Sequence, residues 1–395
     1  MSKVGLAKIQ GRGPTAFRQL VEVAREMDRS GDMIAFVHHG EPDFDTPTHI
    51  KQAAIEAMNE GYTHYVPNKG IVELREAVAE KLKQENGIEA DPDSEIIITN
   101  GATLGLWLAI VATIKPGDEV LLPNPCFDAY PNMVSLAGGQ AVFLPTVRQD
   151  GRFGLDKTEV VKRITPRTKA IIINTPNNPT GTVYTRSELE MIAEVANKHD
   201  LIIIVDEAYE KLLYDQHAHF SVASFDRNTR DRTITIHSFS KTYAMTGWRL
   251  GYSTANKEIT KVMSHMYQYS ARCATAFVQV AGVTALKGSQ DCTQEMLGEY
   301  TARRELFANG LNGIKGIRCW KPEGAFYVFP DISGMGMSSW DFVIRLLEKE
   351  HVLATPGSIY GPEGEGHLRL SFSKSKDSVE KAIEGIERAV ETPNR

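Results

Sequence analysis

Cysteine is scarce: Cys126, Cys273, Cys292 and Cys319 are the only four in 395 residues, and no two of them form a C-x-x-C pair. That spacing argues against a zinc site and against a disulfide framework, so reduced thiols in a cytoplasmic protein are expected. Long apolar runs are missing too. No segment holds 18 uninterrupted apolar residues, and MSKVGLAKIQGRGPTAFRQL has no continuous apolar core of signal-peptide length, so neither membrane spanning nor export is expected. An excess of positive charge is also lacking. With a formal net charge of -6, the chain has no electrostatic reason to seek nucleic acid or an anionic membrane. Repeats, low-complexity tracts and long runs of like charge are absent, which removes tandem-array and disordered readings. Neither G-x-x-x-x-G-K-[ST] nor G-x-G-x-x-G occurs, so the common nucleotide motifs are out.

What remains is the composition of a folded, enzyme-sized protein, 42% hydrophobic and 24% charged. At this length one large domain plus a smaller one is expected. Pro14 suits a first helical position, and Phe17, Leu20, Val21, Ala24 and Met27 keep helical spacing until DRSGD ends it. MIAFVHHGEPDFDTP reads as a short strand that breaks into a Gly/Pro/Asp loop, a kind of segment that often carries function. Leu74, Val78 and Leu82 recur every fourth residue before Gly87 and predict an amphipathic helix over 70–86. From about residue 95, short Ile/Val-rich segments alternate with helical ones: EIIIT, DEVLLP, QAVFLP, KAIIIN, LIIIVDEA, TITIHSF and RLGYST. Strands apolar on both faces, joined by helical crossovers, predict an α/β fold whose large domain has a mostly parallel, doubly wound sheet flanked by helices. Beyond about residue 255 come long helices, then GAFYVFP, SWDFVIRLLEKEH and HLRLSFS, which predict a smaller α+β domain formed from both chain ends. The expected division is 1–44 contributing to the small domain, 45–288 as the large cofactor-binding domain, and 289–395 as the small C-terminal domain.

Ligands of doubly wound sheets gather at the carboxyl ends of the strands, and several of these segments end there in polar or glycine residues. In IIITNGATLGLWLAI the small residues Gly101, Ala102 and Thr103 leave the first helical N–H groups open to a phosphate, or simply make a tight turn. Arg249 offers a bidentate guanidinium for such an anion, and Ser238 and Ser240 offer hydroxyls. Asp206 follows the apolar run IIIV, so its carboxylate sits at the tip of a buried strand, either as a helix cap or as a functional charge. Lys241, in SFSKTYAMTGWRLG, keeps hydroxylic, aromatic and apolar company. Pyridoxal 5'-phosphate would use all of these at once: an aldehyde for the lysine, a phosphate for the helix start and arginine, and a pyridine nitrogen for the carboxylate. No metal is called for.

The ordered set GEPDFDTP, YVPNKGIVELREAVA, NTPNNPTG, DEAY, SFSKTYAMTGWRLG, PEGAFYVFP and HLRLSFS spans nearly the whole chain. In it the chain resembles the class I/II aminotransferases of the fold-type I pyridoxal-phosphate enzymes, the aspartate aminotransferase superfamily. The resemblance implies that Lys241 forms the internal aldimine, that Asp206 pairs with the pyridine nitrogen, and that Asn178 and Tyr209 hydrogen-bond the ring hydroxyl oxygen. It implies that Phe127 stacks on the ring and that Gly101, Ala102, Thr103, Ser238 and Arg249 hold the phosphate. Tyr65 would reach that phosphate from the neighbouring subunit of a homodimer. Arg369 would clamp the substrate α-carboxylate, with Asn178 and the backbone at Gly40. Each residue also has a structural reading: Asn178 and Gly181 suit a turn, Phe127 a core place, Arg369 an edge strand.

The activity implied is ping-pong transfer of an amino group between an L-amino acid and a 2-oxo acid. A lyase or decarboxylase on the same fold is the alternative, and a DNA-binding regulator would need a basic helix-turn-helix unit that the sequence does not offer. Arg272, in YQYSARCATAF, is a candidate for meeting a distal acidic group of the substrate, or else a solvated or intersubunit arginine. His38 and His39 are adjacent, and strand alternation would send them to opposite faces, so a strand-end and loop role is expected rather than metal binding.

Overall fold

The computed structural model describes residues 11–149 and 151–391. All seven Ile/Val-rich segments form strands of one sheet: β1 (Ile96–Thr99), β2 (Glu119–Asn124), β3 (Gln140–Pro145), β4 (Thr168–Asn174), β5 (Ile202–Asp206), β6 (Thr233–Ser238) and β7 (Gly251–Thr254). Their spatial order is β1-β7-β6-β5-β4-β2-β3. Only β7 runs antiparallel to its neighbours; every other pairing is parallel. The chain runs outward from β2 to β3 and then returns through β4 to β6, so the order reverses between β2 and β4, and β4, β5 and β6 present Asn174, Asp206 and Ser238 at their carboxyl ends.

Period-2 alternation explains why the strands are apolar throughout. Ile172 and Ile204 enter a core with Leu106, Ile110 and Leu122 on one face, while Ile171, Ile173, Ile203 and Val205 enter another with Leu189 and Ile192 on the opposite face. Both faces are covered, as the sequence pattern required, and each fully buried Ile or Val contributes about 1.5–3 kcal/mol of transfer free energy.

A third core gathers the two chain ends. Leu20 and Ala24 of the helix Pro14–Met27 pack with Phe307, Leu311, Val343, Leu347, Leu370 and Ile386. Ala35–Phe36 pairs in parallel with Val352–Leu353, which ties the segment leading to Gly40 to the C-terminal region. Tyr327–Val328, Leu368–Ser371 and Thr355–Pro356 make a three-stranded antiparallel sheet with Leu368–Ser371 in the middle. Arg369 is therefore on a central strand and buried, not an exposed edge cation. The helix predicted over 70–86 is regular only for Val72–Lys81; the turn Leu82–Asn86 widens before Gly87 takes a left-handed φ of 67°. Lys81 and Asn86 both reach Glu210, so this end of the helix is shaped by a tertiary contact that spacing alone does not report.

Ile204→Ala, at a fully buried position on β5, should lower the unfolding free energy by about 2–5 kcal/mol. Val262→Ala, 42% exposed, should change it by less than about 0.5 kcal/mol. Urea unfolding of both variants tests the difference, and equal midpoints would contradict the packing described.

Candidate active site

A cavity of about 290 Å³ lies at the carboxyl ends of β4, β5 and β6. Its floor is Asp206. The Asp206 carboxylate accepts a hydrogen bond from the Tyr130 hydroxyl at 2.8 Å and one from the Ala208 N–H at 3.1 Å. Among the described residues no Lys, Arg or His lies within ion-pair distance of it, and burial raises its pKa against those two hydrogen bonds. Asn174 supports the same strand end, donating to the Asp206 carbonyl at 3.0 Å and accepting from the Asn178 N–H at 2.7 Å.

Lys241 arrives on the short helix Phe239–Thr242 that follows β6. Ser238 caps it, its side chain accepting from the Ser240 N–H, which satisfies a helix-start donor and fixes where the next turn points. The Lys241 ammonium donates to the Gly40 carbonyl at 2.7 Å and lies 5.8 Å from the Phe326 ring centroid. Burial lowers its pKa to about 8; Glu41 opposes the shift, while Arg369 and Arg249 add to it. A lysine so placed gives up its proton far more readily than an exposed one, and about half of it is neutral amine at about pH 8.

The anion cradle is built on glycine. Gly101 (φ 79°) begins the helix Ala102–Thr113, and no side chain caps that end. A methyl group on Gly101 would lie 2.5 Å from Nη2 of Arg249, and one on Gly251 would lie 2.7 Å from the Ala102 nitrogen. Two missing side chains thus let a guanidinium and a row of helical N–H groups face one spot, which Ala102, Thr103, Ser238 and Ser240 also line. Arg249 itself takes a left-handed φ of 53° and donates to the Thr246 carbonyl at 3.0 Å.

Opposite the floor stands Arg369. It donates to Asn178 Oδ1 at 3.1 Å and to the His38 carbonyl, and its guanidinium lies over the Tyr327 and Tyr360 rings at 4.5 and 5.1 Å. Its Nε is buried with no hydrogen-bond partner among the described residues, a donor left for a ligand. Tyr209 and Tyr327 share a hydroxyl–hydroxyl hydrogen bond of 2.8 Å. A methyl group on Gly40 would lie 1.9 Å from the Tyr327 hydroxyl, so this backbone approach tolerates no side chain. Phe127 meets Tyr130 edge to face at 5.6 Å and shows its other side to the cavity.

Of the residues expected from sequence, Ala102, Thr103, Phe127, Asn178, Asp206, Tyr209, Ser238, Lys241, Arg249, Gly40 and Arg369 line this one cavity, with Gly101 directly beneath Arg249. Tyr65 and Arg272 do not. Tyr65 is 78% exposed, and the Arg272 guanidinium stacks on its ring at 4.3 Å. Tyr130, Asn174, Ala208, Tyr327 and His39 were missed as lining residues. Tyr130 lies inside the helix Ala129–Leu136 and looks like a core aromatic, whereas Tyr327 could have been found from PEGAFYVFP. The expectation that His38 and His39 point apart is corrected: the strand ends at Phe36, and in the loop beyond it their rings lie 5.3 Å apart.

Behind the floor lies a second polar layer. Glu207 accepts from His219 at 2.9 Å and from Ser221 at 2.7 Å, while Glu210 accepts from Asn86, from His237 at 3.1 Å and from Lys81. Glu207, Glu210 and His219 have the donor types of a metal site, but the Lys81 ammonium already stands on Glu210 as the local cation.

The residues of the cavity fit pyridoxal 5'-phosphate: a desolvated amine, a buried carboxylate without a cation, and a glycine-floored helix start facing an arginine. The family model for aminotransferase class I and II matches residues 37–386. The chain is 44% identical over 379 residues to aromatic-amino-acid aminotransferase 2 of Thermococcus litoralis, and 44% identical over 379 residues to aspartate aminotransferase of Pyrococcus abyssi, with 95% of this chain and 96% of the relative covered in each case. Among solved structures, the aromatic aminotransferase from Pyrococcus horikoshii superposes with a TM-score of 0.88 at 44% identity, covering 92% of this chain and 98% of that one.

The depressed amine makes a direct prediction. Adduct formation between Lys241 of cofactor-free protein and an added aldehyde should rise with pH around a midpoint of about 8. A midpoint near the ordinary lysine value of about 10.4 would contradict the burial described. With a family match over residues 37–386 and relatives 44% identical over nearly their whole length, the chain belongs to the class I and II aminotransferases.

Proposed function

We propose that this aminotransferase works with pyridoxal 5'-phosphate and moves an amino group between an L-amino acid and a 2-oxo acid in two half-reactions. The observation that carries the reading is the meeting, in one cavity, of the Lys241 amine, the Asp206 carboxylate and the Gly101–Arg249 cradle. When bound, the cofactor supplies an aldehyde that condenses with amines and a ring that draws electrons from the substrate Cα.

The chain's own residues do the rest. Arg249, Ser238, Thr103 and the N–H groups at Gly101 and Ala102 would hold the phosphate. Asp206 would hold a proton on the ring nitrogen, and in return would gain the positive partner that the buried carboxylate lacks. Asn178 accepts from Arg369 through Oδ1, which leaves its amide NH₂ to donate to the ring hydroxyl oxygen beside Tyr209. Phe127, on the cavity wall, would cover one face of the ring. Arg369 takes the substrate α-carboxylate in a bidentate grip, next to Asn178 and the Gly40 backbone. Lys241 would offer its amine to the cofactor aldehyde and, once free, would serve as the base that takes and returns the substrate Cα proton.

The reading extends to a cytoplasmic homodimer in which Tyr65 reaches the neighbouring subunit's phosphate. The exposed Tyr65–Arg272 stack supports a contact there, since two large side chains held together at the surface offer a preformed face. Arg272 then meets substrate only across that contact. The division at residues 44 and 288 belongs to the same proposal, supported by the separate core that joins the two chain ends. A lyase is less well supported, because the matched relatives are aminotransferases.

Purified protein should be yellow, and borohydride should fix the cofactor to Lys241, located by peptide mass. Single amino acids should convert the bound cofactor stoichiometrically to its amine form; a return to the starting spectrum would indicate a lyase. Lys241→Ala should lose at least about a thousandfold in turnover. Adduct at another lysine, or full activity in Lys241→Ala, would overturn the assignment.

A further inference from the structure

His39 lines the cavity, and nothing in the chemistry above uses its imidazole. Its chain neighbours fix its place: the His38 carbonyl accepts from Arg369, and the Gly40 carbonyl accepts from Lys241 at 2.7 Å. The side chain leaves the backbone between the point that meets the substrate carboxylate and the point that meets its amine. What hangs from the substrate Cα is therefore within its reach.

Two features of that position bear on the kind of side chain it accepts. First, the His39 ring ends a row of aromatic rings: His38 lies 5.3 Å from it, and Phe17 and Phe36 lie 5.9 and 5.8 Å from His38. A further ring at the cavity end would continue this packing. Second, Glu41 Oε2 stands 3.4 Å from His39 Nε2. The Thr246 hydroxyl donates to Glu41 and holds its carboxylate below the usual range. The charged and titratable groups around His39 are His38, Glu41, Lys374, Arg369 and Lys241; burial first, and then the three cations, lower its pKa against the pull of Glu41. At neutral pH an uncharged imidazole thus stands beside an ionised carboxylate. Once the substrate's α-carboxylate covers Arg369 and Lys241 is no longer an ammonium, Glu41 and Lys374 are the charges left around His39, and Glu41 is the one that touches it, at 3.4 Å.

Resting on the aminotransferase reading, we propose that His39 selects the substrate side chain, packing an uncharged aromatic ring against its imidazole and, with Glu41, disfavouring a distal carboxylate. The two relatives at 44% identity carry names of both classes, one aromatic and one aspartate, so family membership alone does not choose.

The test uses two unreactive analogues on the holoenzyme, 3-phenylpropionate and succinate, with dissociation constants read from the cofactor absorbance at about pH 8. The wild type should prefer 3-phenylpropionate, and His39→Ala should shrink that preference by about three- to tenfold, the value of one lost aromatic contact. Glu41→Gln should tighten succinate and leave 3-phenylpropionate within about twofold. Lowering the pH protonates His39 and should narrow the wild-type preference, a dependence that His39→Ala should lose. The ratio of kcat/KM for phenylalanine over aspartate should follow the binding ratio. A preference for succinate in the wild type, or a ratio moved less than about twofold by both substitutions, would overturn the proposal. Absence of any amine-form conversion with either amino acid would instead overturn the aminotransferase chemistry itself.

Discussion

Asp206 ends the central strand of the sheet with its carboxylate buried, two hydrogen bonds to hold it and no cation within reach among the described residues. An ionised carboxylate in that position costs several kcal/mol unless it protonates or acquires a positive partner. The nearest functional amine does not relieve it. Lys241 is in the same cavity, yet its ammonium donates to a backbone carbonyl, and burial makes that charge unfavourable as well. Two groups of opposite sign are held in one cavity without forming an ion pair. That arrangement suits a molecule placed between them which is cationic toward the aspartate and electrophilic toward the lysine.

The adjacent residue shows how differently the same chemistry is handled where no ligand is needed. Glu207, the first residue beyond the strand, turns away from the cavity to a place where His219, Ser221 and Asn86 donate to it and Lys81 stands on neighbouring Glu210. Burial disfavours protonation of His219, but Glu207 more than offsets that and raises its pKa, so this layer carries its own compensation. It also joins the elements beneath the site, since Lys81 and Asn86 come from the helix Val72–Lys81 and the turn after it, and His237 from β6. The floor of the cavity thus rests on a compensated layer, while the charge facing inward is uncompensated.

Much of this was legible in the sequence. Uninterrupted Ile/Val runs announce strands buried on both faces, and a polar residue at the end of such a run has only the strand tip to occupy; Asn174, Asp206 and Ser238 all do. Gly101 was legible as a small residue that leaves the helix start open or makes a tight turn, although only the structure shows Arg249 packed against it. Tyr130 was not, because an aromatic residue inside an apolar helix gives no sign that its hydroxyl points at a carboxylate. The middle-strand place of Arg369 depends on Tyr327–Val328 and Thr355–Pro356 pairing on either side of it, contacts set by the fold of distant segments. His38 and His39 were misjudged by one assumption, that the strand continued through them. Tyr65 and Arg272 do not line the cavity of their own chain, and a role there would need a second chain.

In the function proposed, the Asp206 carboxylate holds a proton on the ring nitrogen of the cofactor. Nitrogen-15 NMR of holoenzyme carrying ring-labelled pyridoxal 5'-phosphate reads that proton directly, in the wild type and in Asp206→Asn. The account predicts a protonated ring nitrogen in the wild type and an unprotonated one in the variant. An unprotonated nitrogen in the wild type, or the same protonated shift in both proteins, would contradict it.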